Sequence, residues 1–172
     1  MKKFELTAEF VTNVFGKKLF RIKALVAFGN VEKGELGGFI EKEDNLSHDG
    51  DAWVSGDAWV YGNAQVSGNA QVYGNAQVSG NARVSGNAQV SGDADYAVVK
   101  GFGRFFRETT FFRCKDKILR VQCGCFYGDL TQFREIVKKT HGDSKYAKEY
   151  LAIADLMELH FSDAEAKQEA SE

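Results

Sequence analysis

A basic segment rich in glycine and phenylalanine lies at residues 98–120 of a chain whose overall net charge is −2. The segment holds seven basic residues against two acidic ones, a net charge of +5. Within it, residues 101–107 read Gly-Phe-Gly-Arg-Phe-Phe-Arg. Glycines let a backbone approach an anion closely, arginines bind phosphate in a bidentate manner, and aromatic rings stack on bases. The segment therefore predicts a binding site for an anionic ligand.

The predicted site also draws on the link between two predicted helices. His141 opens this link, and a second helix is predicted to begin at Ser144, where the free N–H groups of the first turn attract an anion. A solvated basic strand, followed by ordinary helix stop and cap signals, is the alternative interpretation of the same residues. The full predicted ligand-binding set is Gly101, Gly103, Arg104, Arg107, Arg113, Arg120, His141, Ser144 and Lys145.

The sequence pattern favours capture of a ligand over its conversion. Paired carboxylates, a nucleophile with its base, and a metal-ligand set do not accompany the predicted site. Cys114, Cys123 and Cys125 match no standard zinc spacing, and they are predicted to be buried free thiols that pack as small apolar residues. We therefore predict no catalytic residue, no cofactor and no metal.

A six-residue repeat, Gly-Asn/Asp-Ala-x-Val-x, occurs eight times without a gap over residues 50–97. Alternating Ala and Val predicts a short strand with one buried face, and Gly with Asn or Asp predicts a corner. Three units form one 18-residue coil of a left-handed parallel β-helix, so residues 18 apart stack on one another. The valines predicted to face inward are Val54, Val60, Val66, Val72, Val78, Val84 and Val90.

The segments that flank the repeat predict a chain that is mainly β, with an α+β region at its C-terminal side. In residues 1–49, alternating apolar positions over 3–28 predict a hairpin that caps the coil, and Ile40 and Leu46 suggest a degenerate first turn before a two-residue insertion. Residues 98–161 form the α+β domain, and 162–172 are predicted to be a disordered acidic tail.

Three strands and two helices are predicted in the α+β domain. The strands cover 96–102, 107–115 and 118–126, and an even-length turn between the last two would pair Cys114, Phe112 and Thr110 with Leu119, Val121 and Cys123 on one face. The first helix starts at a capping box, 129–132, and stops at Gly142. The second helix runs from Ser144 to about Phe161. Each helix has a predicted apolar stripe, namely Phe133, Ile136 and Val137 on the first, and Tyr146, Tyr150, Ile153, Met157 and Phe161 on the second.

The Gly-Asn-Ala-x-Val-x run resembles the hexapeptide-repeat family, which includes many acyltransferases. The resemblance implies a left-handed β-helix and a homo-oligomer, with a trimer favoured. Acyltransferases of this family need a histidine base at a subunit cleft, whereas the repeat here contains no histidine, and His48, His141 and His160 lie outside it. Outward aromatic residues of the coil are predicted to form the oligomer interface: Trp53, Trp59, Tyr61 and Tyr73.

The chain as a whole resembles small proteins of unassigned function found in phages and prophages of gut bacteria. The segments that carry this resemblance, beside the repeat, are 34–41, 101–104, 123–128 and 140–146. It implies a viral setting in the cytoplasm of a bacterial host. A pI near 6.0 gives no reason to expect nucleic acid or a membrane as the partner, and no apolar run is long enough to span a bilayer.

Three functions follow from these observations. The favoured one is a non-enzymatic, phage-encoded binding protein that counters bacterial defence by capturing a host ligand. That ligand is either an anionic small molecule, such as a nucleotide signal, or a host defence protein. The alternatives are an oligomeric structural or scaffold protein and a hexapeptide-type acyltransferase.

Overall fold

The repeat segment forms a β-solenoid of short parallel strands. The computed structural model describes the backbone of residues 1–169 and the side chains of 1–92 and 94–162. Each of the first seven repeats contributes one two-residue strand, and a glycine with φ between +62° and +69° stands at each corner from Gly50 to Gly86. The strands are β4 (Trp53–Val54), β5 (Trp59–Val60), β6 (Gln65–Val66), β7 (Gln71–Val72), β8 (Gln77–Val78), β9 (Arg83–Val84) and β10 (Gln89–Val90).

The predicted 18-residue stacking is confirmed by the strand pairing. β4 pairs with β7 and β7 with β10, while β5 pairs with β8 and β6 with β9. Trp53 therefore lies over Gln71 and Gln65 lies over Arg83. All seven predicted valines face inward and are at most 1% exposed, and the repeat alanines between them are fully buried.

Residues before the repeat extend one face of the solenoid. β1 (Phe4–Thr12) and β2 (Lys18–Ala24) form the predicted antiparallel hairpin, and β2 pairs in turn with β3 (Leu36–Ile40). β3 runs parallel to β5, with Ile40 opposite Val60, and Leu46 bridges to Val66. The degenerate turn thus stacks at an offset of 20 residues, as the predicted two-residue insertion requires.

The first coil presents three equivalent alanine carbonyls toward the N-terminal segment, and each accepts a hydrogen bond. Their donors differ in kind because the N-terminal segment does not follow the repeat. Asn45 is fully buried, and burial lowers the pKa of Lys3. The three bonds are Lys3 Nζ to Ala52 at 2.8 Å, the Phe39 N–H to Ala58 at 2.9 Å, and Asn45 Nδ2 to Ala64 at 2.8 Å.

A four-stranded antiparallel sheet and two helices cover the other end. The strands, in spatial order, are β11 (Tyr96–Val99), β12 (Thr109–Arg113), β13 (Leu119–Cys123) and β14 (Phe126–Asp129). The helices are α1 (Leu130–His141) and α2 (Lys145–Glu169). α1 begins at the predicted capping box of Asp129 and Gln132 and ends at Gly142, as predicted.

β12 is buried on both of its faces. Its Thr110 hydroxyl accepts a hydrogen bond from the Arg83 N–H at 3.1 Å, and Phe112 belongs to the solenoid core. On the opposite face, Phe111 packs edge-on against Phe133 of α1 with 6.1 Å between ring centroids. The strand therefore joins the solenoid to the helical layer.

The predicted even-length turn between β12 and β13 is wrong. Arg113 pairs with Leu119 and Phe111 pairs with Val121. Residues 109, 111 and 113 of β12 therefore share a face with 119, 121 and 123 of β13, in place of the predicted 110, 112 and 114. The turn is closed by the Lys117 N–H, which donates to the Cys114 carbonyl at 2.9 Å, and Lys117 adopts a left-handed φ of +63°. Because β12 is buried on both faces, apolar matching could not select the register.

The predicted third strand is two strands, and the cysteines do not form one buried group. Gly124, with a φ of +58°, closes a two-residue hairpin loop that separates β13 from β14. Cys125 lies in that loop and is exposed, which corrects the prediction of three buried thiols. Cys114 is buried against the solenoid, where burial raises its pKa, whereas Cys123 is half-buried on the other face of the sheet.

α2 is longer than predicted. Its predicted end is near Phe161, whereas the helix continues to Glu169. Of the tail predicted at 162–172, residues 170–172 lie outside the described residues, and the backbone but not the side chains of 163–169 is described. Of the predicted apolar stripe, Tyr150, Ile153, Met157 and Phe161 are buried, and Tyr146 is exposed.

Candidate ligand-binding site

The loop between β11 and β12, residues 100–108, packs against α2. Gly103 is buried with a φ of +75°, and a Cβ there would collide with the phenol ring of Tyr150. Its N–H donates to Glu149 Oε2 at 2.9 Å. Gly103 therefore positions the loop and does not offer its N–H to a ligand, which corrects its predicted role. Gly101 has a φ of +95° and an open surrounding, and it serves to turn the chain.

Two arginines flank an exposed phenylalanine in this loop. The Arg104 and Arg107 guanidinium carbons lie 5.5 and 5.0 Å from the Phe105 ring centroid. Phe105 itself is 64% exposed, and its neighbour Phe106 has a left-handed φ of +53°, which is rare for a bulky residue. Strained backbone of this kind is more common at functional sites than elsewhere.

Neither arginine has a carboxylate within ion-pair distance among the side chains that the structure describes. This distinguishes them from the other arginines of the same region. Arg113 contacts Asp95 at 3.3 Å, Arg120 contacts Asp116 at 2.7 Å, and Arg134 contacts two carboxylates of α2. Arg104 and Arg107 are therefore available to an external anion.

These arginines line a cleft of about 220 Å³ between the sheet and the helices. His141 lines the cleft beside Tyr150, with the two rings stacked at 5.9 Å. Phe133 packs edge-on against Tyr150 at 5.8 Å. The remaining lining includes Thr140, Ile136, Phe126, Cys123 and Cys125. We call this space the aromatic cleft.

The polar groups of the aromatic cleft favour a ligand that is negatively charged. Burial raises the pKa of Tyr150 to about 12, and the neighbouring Cys123 adds to the shift. Tyr150 is therefore a neutral phenol at physiological pH. The lining holds two unpaired guanidinium groups and no described carboxylate, so the charged groups of the cleft favour an anion.

Three of the nine predicted ligand-binding residues line the aromatic cleft, namely Arg104, Arg107 and His141. Arg113 and Arg120 lie elsewhere in their ion pairs, and Arg113 also donates to the Phe161 carbonyl at 2.7 Å. Ser144 accepts a hydrogen bond from the Ala147 N–H at 3.4 Å and so caps α2. Lys145 points to solvent, with its side chain 84% exposed.

Sequence reasoning missed the wall residues of the cleft. Tyr150 and Phe133 were assigned to apolar helix stripes, and their spacing gives no sign that one edge of each stripe borders an opening. Phe105 could be identified from the sequence, because an aromatic residue between two arginines is typical of a stacking site.

His48 does not offer a free base for acyl transfer. Its Nδ1 accepts a hydrogen bond from the Lys3 N–H at 3.1 Å, so Nε2 carries the proton and donates to Glu43 Oε1 at 2.7 Å. This bond is the main reason why the pKa of Glu43 is lowered. Both ring nitrogens are thus used to fasten the N-terminal segment. Among the described residues, no group of His, Cys, Asp and Glu could hold a metal ion.

The predicted interface aromatics have different environments. Trp53 is 2% exposed and packs edge-on against Phe28 at 5.4 Å, under the N-terminal segment. Trp53 is therefore not accessible for the predicted oligomer interface. Trp59 and Tyr61 are partly exposed and Tyr73 is exposed, so these three remain accessible on the solenoid.

Part of the solenoid matches a known family model. Residues 76–92 match the family model described as YdcK Beta solenoid repeat. This agrees with the parallel strands from β8 to β10, and it supports a repeat β-helix for that part of the chain. A search of curated proteins finds no match. Within the described residues, no helix combines the length and apolar character needed to cross a membrane.

Proposed function

We propose that the protein is a non-enzymatic binding protein that captures an anionic ligand with an aromatic ring, such as a nucleotide signal, in the aromatic cleft. The observation that carries this proposal is the pair of arginines without carboxylate partners, Arg104 and Arg107, on either side of Phe105. Unpaired guanidinium groups beside an exposed ring suit a phosphate attached to a base.

The chemistry of the cleft supports capture without conversion. Its titratable lining consists of a neutral phenol, two thiols, a histidine stacked on a tyrosine, and the two arginines. A nucleophile with an oriented base is not among the described side chains, whereas the arginines and rings supply charge and stacking. The protein therefore holds its ligand and releases it unchanged.

The biological setting in this proposal comes from the resemblance to phage and prophage proteins. A phage gains from a protein that removes a host signal from solution, because defence systems that depend on the signal then stay inactive. The captured partner is a small anion in the favoured form of the proposal and a host defence protein in the alternative form. The site of action is the bacterial cytoplasm.

Replacing Arg104 or Arg107 by alanine is expected to weaken ligand binding tenfold or more, since a charge-assisted contact contributes ~1.5–3 kcal/mol. Calorimetric titration against a panel of cyclic and linear nucleotides measures the effect. The loss should shrink at high salt, because salt screens exposed charges. Lys33→Ala removes the same charge from an exposed position of the N-terminal segment and is the matched control. Equal affinities in all three variants and the wild type would refute the proposal.

We further propose that the coils wind left-handed, that residues 1–49 act as the cap of the solenoid, and that the chain assembles as a homotrimer. The handedness and the trimer follow from the resemblance to hexapeptide-repeat proteins. Trp59, Tyr61 and Tyr73 supply exposed aromatic surface for the contact between chains. Val14 and Phe15 at the hairpin tip, 94% and 76% exposed, favour a scaffold function as the second candidate.

Light scattering at micromolar concentration tests the assembly. The expected mass is about three times the 19.1 kDa of one chain. Tyr73→Ser should lower the association constant, because serine stands at the corresponding place of neighbouring repeats and preserves the coil. A mass of one chain at this concentration would refute the proposed trimer, but it would not bear on the proposed binding site.

A further inference from the structure

A second cavity adjoins the aromatic cleft at Arg107 and has a different character. Its volume is about 310 Å³, and it lies between the last coil of the solenoid and the C-terminal sheet. Three cations line it: Arg83 from the solenoid, and Lys100 and Arg107 from the loop. We call this space the basic basin. Because Arg107 lines both cavities, one ligand could contact both of them.

Arg83 of the solenoid differs in residue type from the same position in the other repeats. The position between Ala and Val holds Gln in four of the eight units, Trp in two and Asp in one, and Arg83 is the single basic residue there. Arg83 stacks directly over Gln65, and four other units carry an uncharged Gln at this position, so the repeat can form without a positive charge here. Its own N–H donates to Thr110 of β12, which holds the residue at the border of the basin.

The cations of the basin are not neutralised within the chain. Among the described side chains, Arg83, Lys100 and Arg107 have no carboxylate within ion-pair distance. This holds although Glu108 lines the same basin. Three cations that line one cavity without an ion pair repel one another, and an anionic group of a ligand would relieve that repulsion.

Glu108 favours a ligand that also carries a hydrogen-bond donor. Its Oε2 atom is buried and has no hydrogen-bond partner among the described residues. A buried acceptor without a partner is costly, and in dinucleotide-binding α/β folds a carboxylate near the phosphate site accepts a hydrogen bond from a ribose hydroxyl. A ligand that brings hydroxyl groups together with phosphate would satisfy both Glu108 and the cations.

We infer that the ligand is a ribonucleotide that spans both cavities. Its base lies in the aromatic cleft against Phe105, and a ribose hydroxyl donates to Glu108. Its phosphate contacts Arg107, which lines both cavities, together with Arg83 and Lys100 of the basic basin. This inference rests on the proposed function, and it goes further by naming the sugar and by assigning a solenoid residue to the site. Deoxynucleotides and free phosphate would satisfy only part of the site.

The role of Arg83 is tested with Arg83→Gln, which inserts the residue that the repeat itself carries at Gln65, Gln71, Gln77 and Gln89. Calorimetric titration with the tightest-binding nucleotide of the panel should show about tenfold weaker binding. Lys33→Gln, at an exposed position of the N-terminal segment, is the control for loss of one charge and should bind like the wild type.

The role of Glu108 is tested by comparing that nucleotide with its 2′-deoxy and 3′-deoxy analogues. The wild type should prefer the ribonucleotide about tenfold over at least one analogue. In Glu108→Ala the preference should fall to about one, whatever happens to the absolute affinity. The ratio is used because removal of an acidic group also strengthens the attraction for phosphate, and this effect cancels between the two ligands.

The outcomes separate the inference from the function on which it rests. If Arg104→Ala weakens binding while Arg83→Gln binds like the wild type, the basin has no part in binding and only the inference fails. Equal affinity of the wild type for ribose and both deoxyribose forms overturns the assignment of Glu108. If no nucleotide of the panel binds the wild type, the proposed function and the inference both fail.

Discussion

Replacing Val72 by aspartate is expected to lower the melting temperature by about 10–20 °C or to abolish the cooperative transition. Val72 is fully buried in β7, where it pairs with β4 on one side and with β10 on the other. Its neighbours in the column are valines and alanines, so a carboxylate there has no partner and burying it costs several kcal/mol. Native domains are stable by ~5–15 kcal/mol, so the loss is a large share of the total.

Gln65→Asp provides the matched control because Gln65 is exposed on the outside of the same solenoid. It inserts the same charge without burying it, and it should change stability by no more than ~0.5 kcal/mol. Thermal denaturation followed by circular dichroism measures both variants. If Val72→Asp and Gln65→Asp melt together, the inward and outward assignments of the repeat are wrong.

Replacing Asn45 is expected to give the second largest effect. Its amide donates to the carbonyls of Gly62 at 3.2 Å and Ala64 at 2.8 Å, and its Oδ1 accepts from the Lys42 N–H at 2.9 Å. Asn45→Ala leaves these groups without partners at the fully buried end of the first coil, at a cost of ~2–4 kcal/mol. Asn45→Asp should cost more, since it places a carboxylate oxygen against two carbonyl oxygens.

Asn63→Ala is the control for this series. Asn63 is exposed at the neighbouring corner and donates to Asn81 at 3.1 Å, in an Asn ladder on the surface. Its loss should be small, because water replaces the exposed hydrogen bond. Denaturant melts should rank the variants as Asn63→Ala, Asn45→Ala and Asn45→Asp in order of increasing loss. An Asn45→Ala protein as stable as the wild type would mean that the N-terminal segment does not close the first coil.

The solenoid could be predicted from the sequence because each of its positions repeats. One unit fixes which residues face inward, and the 18-residue offset then fixes the neighbours of every other unit, such as Trp53 over Gln71. The sequence could not show that Lys3 and Asn45 donate to coil carbonyls. Both lie outside the repeat, and their hydrogen bonds are made across 49 and 19 residues of sequence.

The C-terminal region was harder to predict because it has no repeat and packs on both sides. Alternation selects a register when one face of a strand is buried, but Phe111 and Phe112 of β12 are both fully buried. The basic residues of 98–120 were predicted as one group, whereas Asp95 and Asp116 withdraw Arg113 and Arg120 from it. The pairing of Asp116 with Arg120 is local, and the four-residue spacing could have revealed it.

The side-chain Nε–Hε resonances of the arginines, followed by NMR while the tightest-binding nucleotide is added, test the central claim most directly. The claim is that Arg104 and Arg107 bind an external anion because the chain leaves them unpaired. Their resonances should shift with saturation, together with that of Arg83. Those of Arg113, Arg120 and Arg134 should stay in place, because carboxylates already hold them. Saturable shifts in the paired arginines, with Arg104 and Arg107 unmoved, would contradict the account.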